Sequence, residues 1–340
     1  MDPLRFTSGR LFVLDQTALP REERWIEIED ARSMVESIAG LRVRGAPAIG
    51  IAAALALAVE AAKSAAHGEV RPDALTRAGE ALAAARPTAT NLAWAVRRVL
   101  AAADRALGQS DARAWSEAVR REALAIWEED RAASRAMARW GASLFPTETL
   151  FMTHCNTGGL ATGGGGTALA VVLELKRSGR PVAVWATETR PLLQGARLTA
   201  WELLREGVPV KLVTDGAAAS VMARARIQAV VVGADRIARN GDVANKVGTF
   251  SLALAAKDRG IPFVVVAPTS TLDPACPSGD VIPIEEREPG EVLTFQGVPV
   301  APEGAGAENP AFDVTPARLV TAIVTERGVN RGPTYEFGAD

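Results

Sequence analysis

Thr153-His154-Cys155-Asn156-Thr157-Gly158-Gly159-Leu160-Ala161-Thr162-Gly163-Gly164-Gly165-Gly166-Thr167 is the stretch from which the rest of the chain is read. An apolar run, Thr149 to Met152, leads into it, and the apolar, helix-like segment Ala168 to Leu175 leaves it. Strand, glycine-rich turn and helix in that order make a βα junction of an open parallel sheet, where ligands bind beyond the carboxyl ends of the strands. The glycines let backbone N–H groups approach an anion, and the helix start adds the positive end of its dipole. Cys155 therefore stands beside a candidate phosphate cradle, as a nucleophile, a base or an inert buried thiol. A nearby helix N-terminus, which lowers a thiol's pKa, favours the reactive reading. His154 precedes it on a strand whose side chains alternate between faces, so it is not expected to be its partner.

Downstream, strands alternate with helices. Apolar runs occur at Val182 to Ala186, Val210 to Thr214, Ala229 to Gly233 and Phe263 to Ala267, with helix-length segments around Gly166 to Arg177, Gly195 to Glu206, Ala217 to Arg226 and Lys246 to Arg259. That repeat predicts a parallel sheet covered on both faces. Cys276 to Pro310 reads as a Pro/Gly/Glu-rich loop, and Thr315-Pro316 as the cap and first-turn proline of a last helix. Upstream, Arg10 to Asp15 and Trp25 to Ile28 read as short strands. Ala31 to Gly40, Ala46 to Ala65, Pro72 to Ala85, Asn91 to Leu107 and Ala112 to Leu144 carry helical periodicity. The expected architecture is α/β: a mainly helical N-terminal domain with a small sheet (1–145), then a catalytic parallel-sheet domain (146–340).

Composition narrows the function. At 340 residues and 48% hydrophobic content there is material for two cores. Lys plus Arg number 38 against 40 Asp plus Glu, so no overall field draws in nucleic acid or an anionic membrane. Ala46 to Ala62 is apolar but broken by Pro47, Gly50 and Glu60, and reads as a buried core helix. Two widely spaced cysteines and two histidines offer no metal-site spacing, no disulfide framework and no Ser-His-Asp order, and the start of the chain shows no secretory signal. A cytoplasmic protein without metal or cofactor is the expectation. Gly163 to Ala168 formally satisfies a dinucleotide fingerprint with Glu188 further on, but its first glycine comes too late after the strand for the tight-turn role.

Polar residues follow the strands where chemistry would be placed. Arg190 can pair with a phosphate and Gln194 can fix a sugar hydroxyl; the alternative for both is an ordinary turn into the next helix. Asp235 follows the apolar run Val230-Val231-Val232, where desolvation raises a carboxyl pKa towards that of a general acid; the alternative is an N-cap aspartate. Asn245 can cap the next helix and put Lys246 at the same helix end, as a phosphate site or as plain capping. In the helical half, Arg44 before the Gly45-Ala46-Pro47 turn and Arg86 before Pro87 are weaker candidates.

Taken together, R-G-A-P-A-I-G (44–50), T-H-C-N-x-G-x-L-A-T-G-G (153–164), E-T-R-P-L-L-Q-G-A-R-L-T-A-W-E-L (188–203), V-G-A-D-R-I-A-x-N-G-D-x-A-N-K-x-G-T (232–249) and I-P-I-E-E-R (282–287) resemble the methylthioribose-1-phosphate isomerase family. That family is allied to the regulatory subunits of the initiation-factor exchange complex and to isomerases of ribose 1,5-bisphosphate and 5-deoxyribose 1-phosphate. The resemblance implies a Rossmann-like C-terminal domain, a small antiparallel sheet in the N-terminal one, a homodimer and a sugar phosphate substrate. It implies Asp235 as proton donor and Cys155 as the partner that removes a proton or stabilises the transition state. Arg44, Gly45, Ala46, Arg86, Gln194, Asn245 and Lys246 match the substrate-contacting positions. Thr157 and Gly159 depart from the family's more usual alanines, which implies a local adjustment of the phosphate cradle.

Overall fold

The computed structural model describes residues 1–86, 90–108, 111–147 and 149–332. The chain forms two compact units, one of residues 1–135 with 158–166, the other of 136–157 with 167–340. The glycine-rich segment after Cys155 is thus counted with the N-terminal unit, while Cys155 itself belongs to the second.

The N-terminal unit opens with a three-stranded antiparallel meander, β1 (Leu4–Thr7), β2 (Arg10–Leu14) and β3 (Trp25–Ile28). Helices α1 (Ala31–Ala39), α2 (Ala46–Ala66), α3 (Pro72–Ala84), α4 (Thr90–Arg105) and α5 (Ala112–Ala142) follow, α5 running past the end of the unit. Asp30 caps α1 through a reciprocal pair of bonds with Ser33. Among the described residues α2 is the one helix long and apolar enough to cross a membrane, and 72% of its apolar window is buried. Its small alanines and Leu55 and Leu57 fill the centre of the core with Met34, Val96, Trp115 and Ile126, as the broken apolar run predicts.

The second unit is built on a seven-stranded sheet. In chain order its strands are β4 (Thr149–Thr153), β5 (Val182–Thr187), β6 (Val210–Val213), β7 (Ala229–Val232), then β10 (Phe263–Val266), β15 (Ala322–Thr325) and β16 (Gly328–Arg331). The spatial order is β16-β15-β10-β7-β4-β5-β6, all parallel except the β15–β16 hairpin. Helices α6 (Ala168–Arg177), α7 (Ala200–Arg205), α8 (Ala218–Arg224) and α9 (Thr249–Asp258) supply the crossovers. From β4 the chain winds outward through β5 and β6, then returns to lay β7 on the other side of β4. That reversal is a topological switch point, and in open α/β sheets ligands bind at such a point, beyond the carboxyl ends of the strands.

A second, four-stranded sheet in the order β11-β8-β9-β14 joins β8 (Arg236–Ala238), β9 (Val243–Lys246), β11 (Leu272–Asp273) and β14 (Phe312–Thr315). A short α10 (Gly290–Leu293) leads into the hairpin β12 (Thr294–Phe295) and β13 (Val298–Pro299). The Rossmann-like expectation holds, and two local readings are corrected. Thr315-Pro316 starts no long helix: a three-residue turn, Ala317–Leu319, gives way to β15. The β-branched run Ile323-Val324-Thr325 fits a fully buried strand better than a helix, and it pairs with β10. Likewise Asn245 and Lys246 lie on β9, and α9 starts only after Gly248, whose φ of 102° is left-handed.

Candidate active site

Cys155 follows β4 with φ at 61° and is 9% exposed. Thr189 and Leu193, after the neighbouring β5, share the left-handed conformation at 64° and 59°. Non-glycine residues rarely adopt it, and such strain gathers where surrounding structure holds a side chain for use. Both sides of the Cys155 backbone are held here. Its N–H donates to Thr189 Oγ1 at 2.9 Å, and its carbonyl accepts from Thr199 Oγ1 at 2.6 Å. Thr199 in turn accepts from Asn156 Nδ2 at 3.2 Å, and that same amide donates to the buried Glu202 Oε1 at 2.7 Å. Thr199 closes a π-helical turn, Gly195–Thr199, at the start of α7, a rare geometry frequent at functional sites. Gly195 admits no side chain, because a Cβ there would run into the Thr187 carbonyl.

Asp235 comes just past the end of β7. Val230 to Val232 are completely buried and the carboxylate itself half-buried. Its N–H donates to Ala244 O at 2.9 Å, opening the β8–β9 hairpin. A strand follows it, so the N-cap alternative for this aspartate falls. Phe151 and Met152 on β4 pair with Ala229 and Val230 on β7, and Thr153 Oγ1 donates to Val231 O at 2.8 Å. Neighbouring strands lie about 4.8 Å apart, so Cys155, two residues past β4, and Asp235, three residues past β7, follow adjacent strand ends at the switch point. Gly233 packs there against Thr157 and Thr167, with Thr157 Cγ2 3.1 Å from the site of a Cβ.

Gln194 starts the π turn, 5% exposed, with Oε1 buried and lacking a hydrogen-bond partner. A buried acceptor left open costs about 1–3 kcal/mol unless a ligand donor fills it. Asn245, 4% exposed, does not cap the helix backbone; its Nδ2 donates to Thr249 Oγ1 at 3.0 Å. Lys246 Nζ donates to Ala311 O at 2.8 Å and sits 4.9 Å from the Phe312 ring centre. Asp313, opposite Asn245 in the β9–β14 ladder, accepts the N–H groups of Gly248 and Phe250 at 2.7 and 3.1 Å. Burial pushes its carboxyl up to about 6.

In the N-terminal unit, Arg44 Nε donates to Gln16 Oε1 at 3.0 Å while Gln16 Nε2 donates to Leu160 O at 2.8 Å. Gly45, at φ 99°, starts α2 so close to Ala161 that a Cβ would lie 2.5 Å from the Ala161 carbonyl. Ala46 is buried and Arg86 half-buried; Pro87 beside it lies outside the described residues.

Two sequence readings change. The glycine run is spent largely on packing. Gly163 N donates to Asp130 Oδ2 at 2.7 Å, and Gly164 N and Gly166 N donate to Thr162 Oγ1 at 3.3 and 2.8 Å. A Cβ on Gly163 would lie 2.6 Å from Trp127 Cδ1, and one on Gly164 or Gly165 would strike Asp2 or Ser134. Those three amides are therefore not an open cradle. Arg190 is no phosphate clamp either: its guanidinium donates to the carbonyls of Pro191, Val292 and Thr294 at 3.1, 2.9 and 3.3 Å and holds the β12 segment. The polar groups around Cys155 that sequence reasoning missed are Thr187, Thr189 and Thr199; only their place after apolar strands hinted at them. Among the described residues, no group of three or more His, Cys, Asp and Glu side chains is set to hold a metal.

Fold and site define a Rossmann-like α/β protein with a thiol and a carboxylate just past adjacent strands, a buried amide at a π-helical turn, and an asparagine and a lysine on β9. The Initiation factor 2 subunit family matches residues 42–332. The chain belongs to that family. A methylthioribose-1-phosphate isomerase of Anaeromyxobacter sp. (strain K) is 56% identical, over 97% of this chain and 94% of its own. A 5-deoxyribose 1-phosphate isomerase of Moorella thermoacetica is 52% identical, over 97% of this chain and 94% of its own. The crystal structure of 5-methylthioribose 1-phosphate isomerase from Pyrococcus horikoshii OT3 superposes with a TM-score of 0.90 at 40% identity, covering 98% of this chain and 93% of that one. A tetrameric eIF2B-beta2-delta2 complex from C. thermophilum shares the fold, with a TM-score of 0.68 at 19% identity over 88% of this chain and 91% of that one.

Proposed function

We propose that this protein converts 5-methylthioribose 1-phosphate to 5-methylthioribulose 1-phosphate, an aldose–ketose isomerisation in methionine salvage. The observation that carries the reading is the emergence of Cys155 and Asp235 from neighbouring parallel strands at the switch point, in a chain more than half identical to an isomerase of that name.

The substrate's anomeric oxygen is a phosphate ester, so its ring does not open without acid. Asp235 protonates the ring oxygen, and the bond from C1 to that oxygen breaks, leaving a cationic C1. Cys155 as thiolate takes the C2 proton to give an enediol and returns it to C1. The C2 hydroxyl proton then passes to the Asp235 carboxylate, which restores the acid, and the ketone forms. Each acid or base step of this kind contributes about 10²- to 10⁴-fold. A hydride shift from C2 to C1 gives the same product, with Cys155 shaping the site. Gln194, Asn245 and Lys246 hold sugar hydroxyls and phosphate. Arg44, Gly45, Ala46 and Arg86 are proposed as substrate contacts on the family resemblance alone, with Arg44 and Arg86 supplying positive charge. No cofactor is needed for either route.

The enzyme works in the cytoplasm, where reducing conditions preserve a reactive thiol. It assembles as a homodimer, a reading that rests on the family resemblance; sedimentation of the purified chain tests it. The Moorella relative favours 5-deoxyribose 1-phosphate as a second substrate. Turnover of 5-methylthioribose 1-phosphate, 5-deoxyribose 1-phosphate and ribose 1,5-bisphosphate by the purified protein decides among them. The highest kcat/KM is expected for the first, and failure with all three would overturn the proposal.

A further inference from the structure

His154 is 1% exposed, and neither the acid nor the base step uses it. Its Nε2 lies 2.8 Å from Val247 O and its Nδ1 2.6 Å from Thr187 Oγ1. A carbonyl has no proton to give, so Nε2 carries the hydrogen and donates. Nδ1 of a neutral ring then accepts, and Thr187 spends its one hydroxyl proton on it. Any bond across the 3.2 Å contact between the Thr187 and Thr189 hydroxyls then runs from Thr189 to Thr187, and the Thr187 carbonyl, also at 3.2 Å, is a second acceptor for the same proton. Thr189 Oγ1, its own proton committed, accepts the Cys155 N–H at 2.9 Å. With Thr189 donating to the Thr187 hydroxyl, every bond in this chain points the same way, from Cys155 through Thr189 and Thr187 to His154, and His154 ends it on Val247.

We infer that His154 is a positioning residue for the isomerisation: through Thr187 and Thr189 it fixes the left-handed turn that aims Cys155, and through Val247 it fixes the strand end that carries Asn245 and Lys246. This rests on the role assigned to Cys155 above. The fit around the ring is close, for a Cβ on Gly248 would lie 3.0 Å from His154 Cε1. Burial lowers the ring's pKa, with Lys246 acting in the same sense, and together they outweigh the Val247 carbonyl and Asp215, which favour protonation. Asp215 also anchors the relay, accepting the N–H groups of Thr189 and Arg190 at 2.8 and 2.7 Å. A charged ring would have to donate from Nδ1, turning the Thr187 hydroxyl to Thr153 O at 3.5 Å or to Thr189 Oγ1 at 3.2 Å and reversing the bond between His154 and Thr187.

The test has two arms. With only two histidines in the chain, a His67→Asn protein leaves one ring for nitrogen-15 NMR. The expected spectrum is that of a neutral ring protonated at Nε2 and unprotonated at Nδ1 at neutral pH, titrating below an exposed histidine. An Nδ1–H tautomer, or titration like an exposed histidine, would overturn the inference. In the kinetic arm, Thr189→Val should lower kcat about 10- to 100-fold, the scale of a small misplacement at a reacting group, with KM within about threefold, and Thr189→Ser should restore most of the rate. Thr187→Val should lower kcat in the same sense and spread the His154 tautomer signals. Thr189→Val and Thr187→Val that both keep wild-type kcat would overturn the role while leaving the isomerase reading intact. Wild-type protein inert on all three sugar phosphates would overturn both, before any variant is made.

Discussion

Residues 153–157 and 158–166 are continuous in sequence and rich in the same small and polar residue types, yet they do opposite work. The first segment spends its backbone on holding side chains in unusual geometry: Cys155 is left-handed and bonded on both sides. The second gives up side chains to bring backbones close, with Gly163, Gly164 and Gly165 pressed against Trp127, Asp2 and Ser134. Thr167 N donates to Thr157 O at 2.8 Å, so the chain leaves and rejoins the sheet unit at one point. A glycine run after a strand is thus no guarantee of an anion site; the destination of its N–H groups decides. Activity should be most sensitive in the first segment and stability in the second.

The sharpest separation is expected from Cys155→Ala. It should lower kcat by about 10²- to 10⁴-fold while leaving Tm within a few degrees, measured by turnover and thermal unfolding of one preparation. In the second segment, Gly163→Ala should cost about 1–3 kcal/mol of stability by overpacking. Gly108→Ala, where nothing lies within 4 Å of the added carbon, should stay within about 0.5 kcal/mol. Equal losses at the two positions would break the comparison. Beyond both segments, Lys246→Ala should raise KM about tenfold with little change in kcat, since a phosphate contact acts in ground and transition states alike.

The smallest effect concerns pH. Burial depresses the His154 pKa below 6.5, so its contribution to stability is fully present above about that pH. The contribution is lost as pH falls towards the folded-state value, by about 1.4 kcal/mol for each unit of depression. His154→Gln should flatten that part of the Tm–pH curve, and a curve identical to wild type would show the ring does not titrate on unfolding.

Much of this was legible in the sequence because it is local. Apolar runs ending in Cys155 and Asp235 announce parallel strands, and the length between them announces crossover helices. The order of those strands, which puts β7 beside β4, is not local, and only the resemblance pointed to the pairing of the two residues. Partners distant in sequence misled in three places. The packing of Gly163 depends on Trp127 and Asp130, the carbonyls that hold Arg190 lie around Val292, and β15 exists because β10 offers it an edge. Asn245-Lys246 looked like a helix start because strands as short as β8 and β9 leave too few residues to show alternation, while the true start is set by the left-handed Gly248.

The central claim is that Asp235 supplies the proton that opens the sugar ring. Proton NMR of 5-methylthioribose 1-phosphate incubated with wild-type protein and with Asp235→Asn tests it directly. The account predicts steady appearance of the ketose 1-phosphate with wild type and at least a 100-fold slower appearance with the variant, beyond the lower end of the ~10²–10⁴ range for a general acid, at comparable substrate affinity. Ketose formed at the wild-type rate by Asp235→Asn would contradict it.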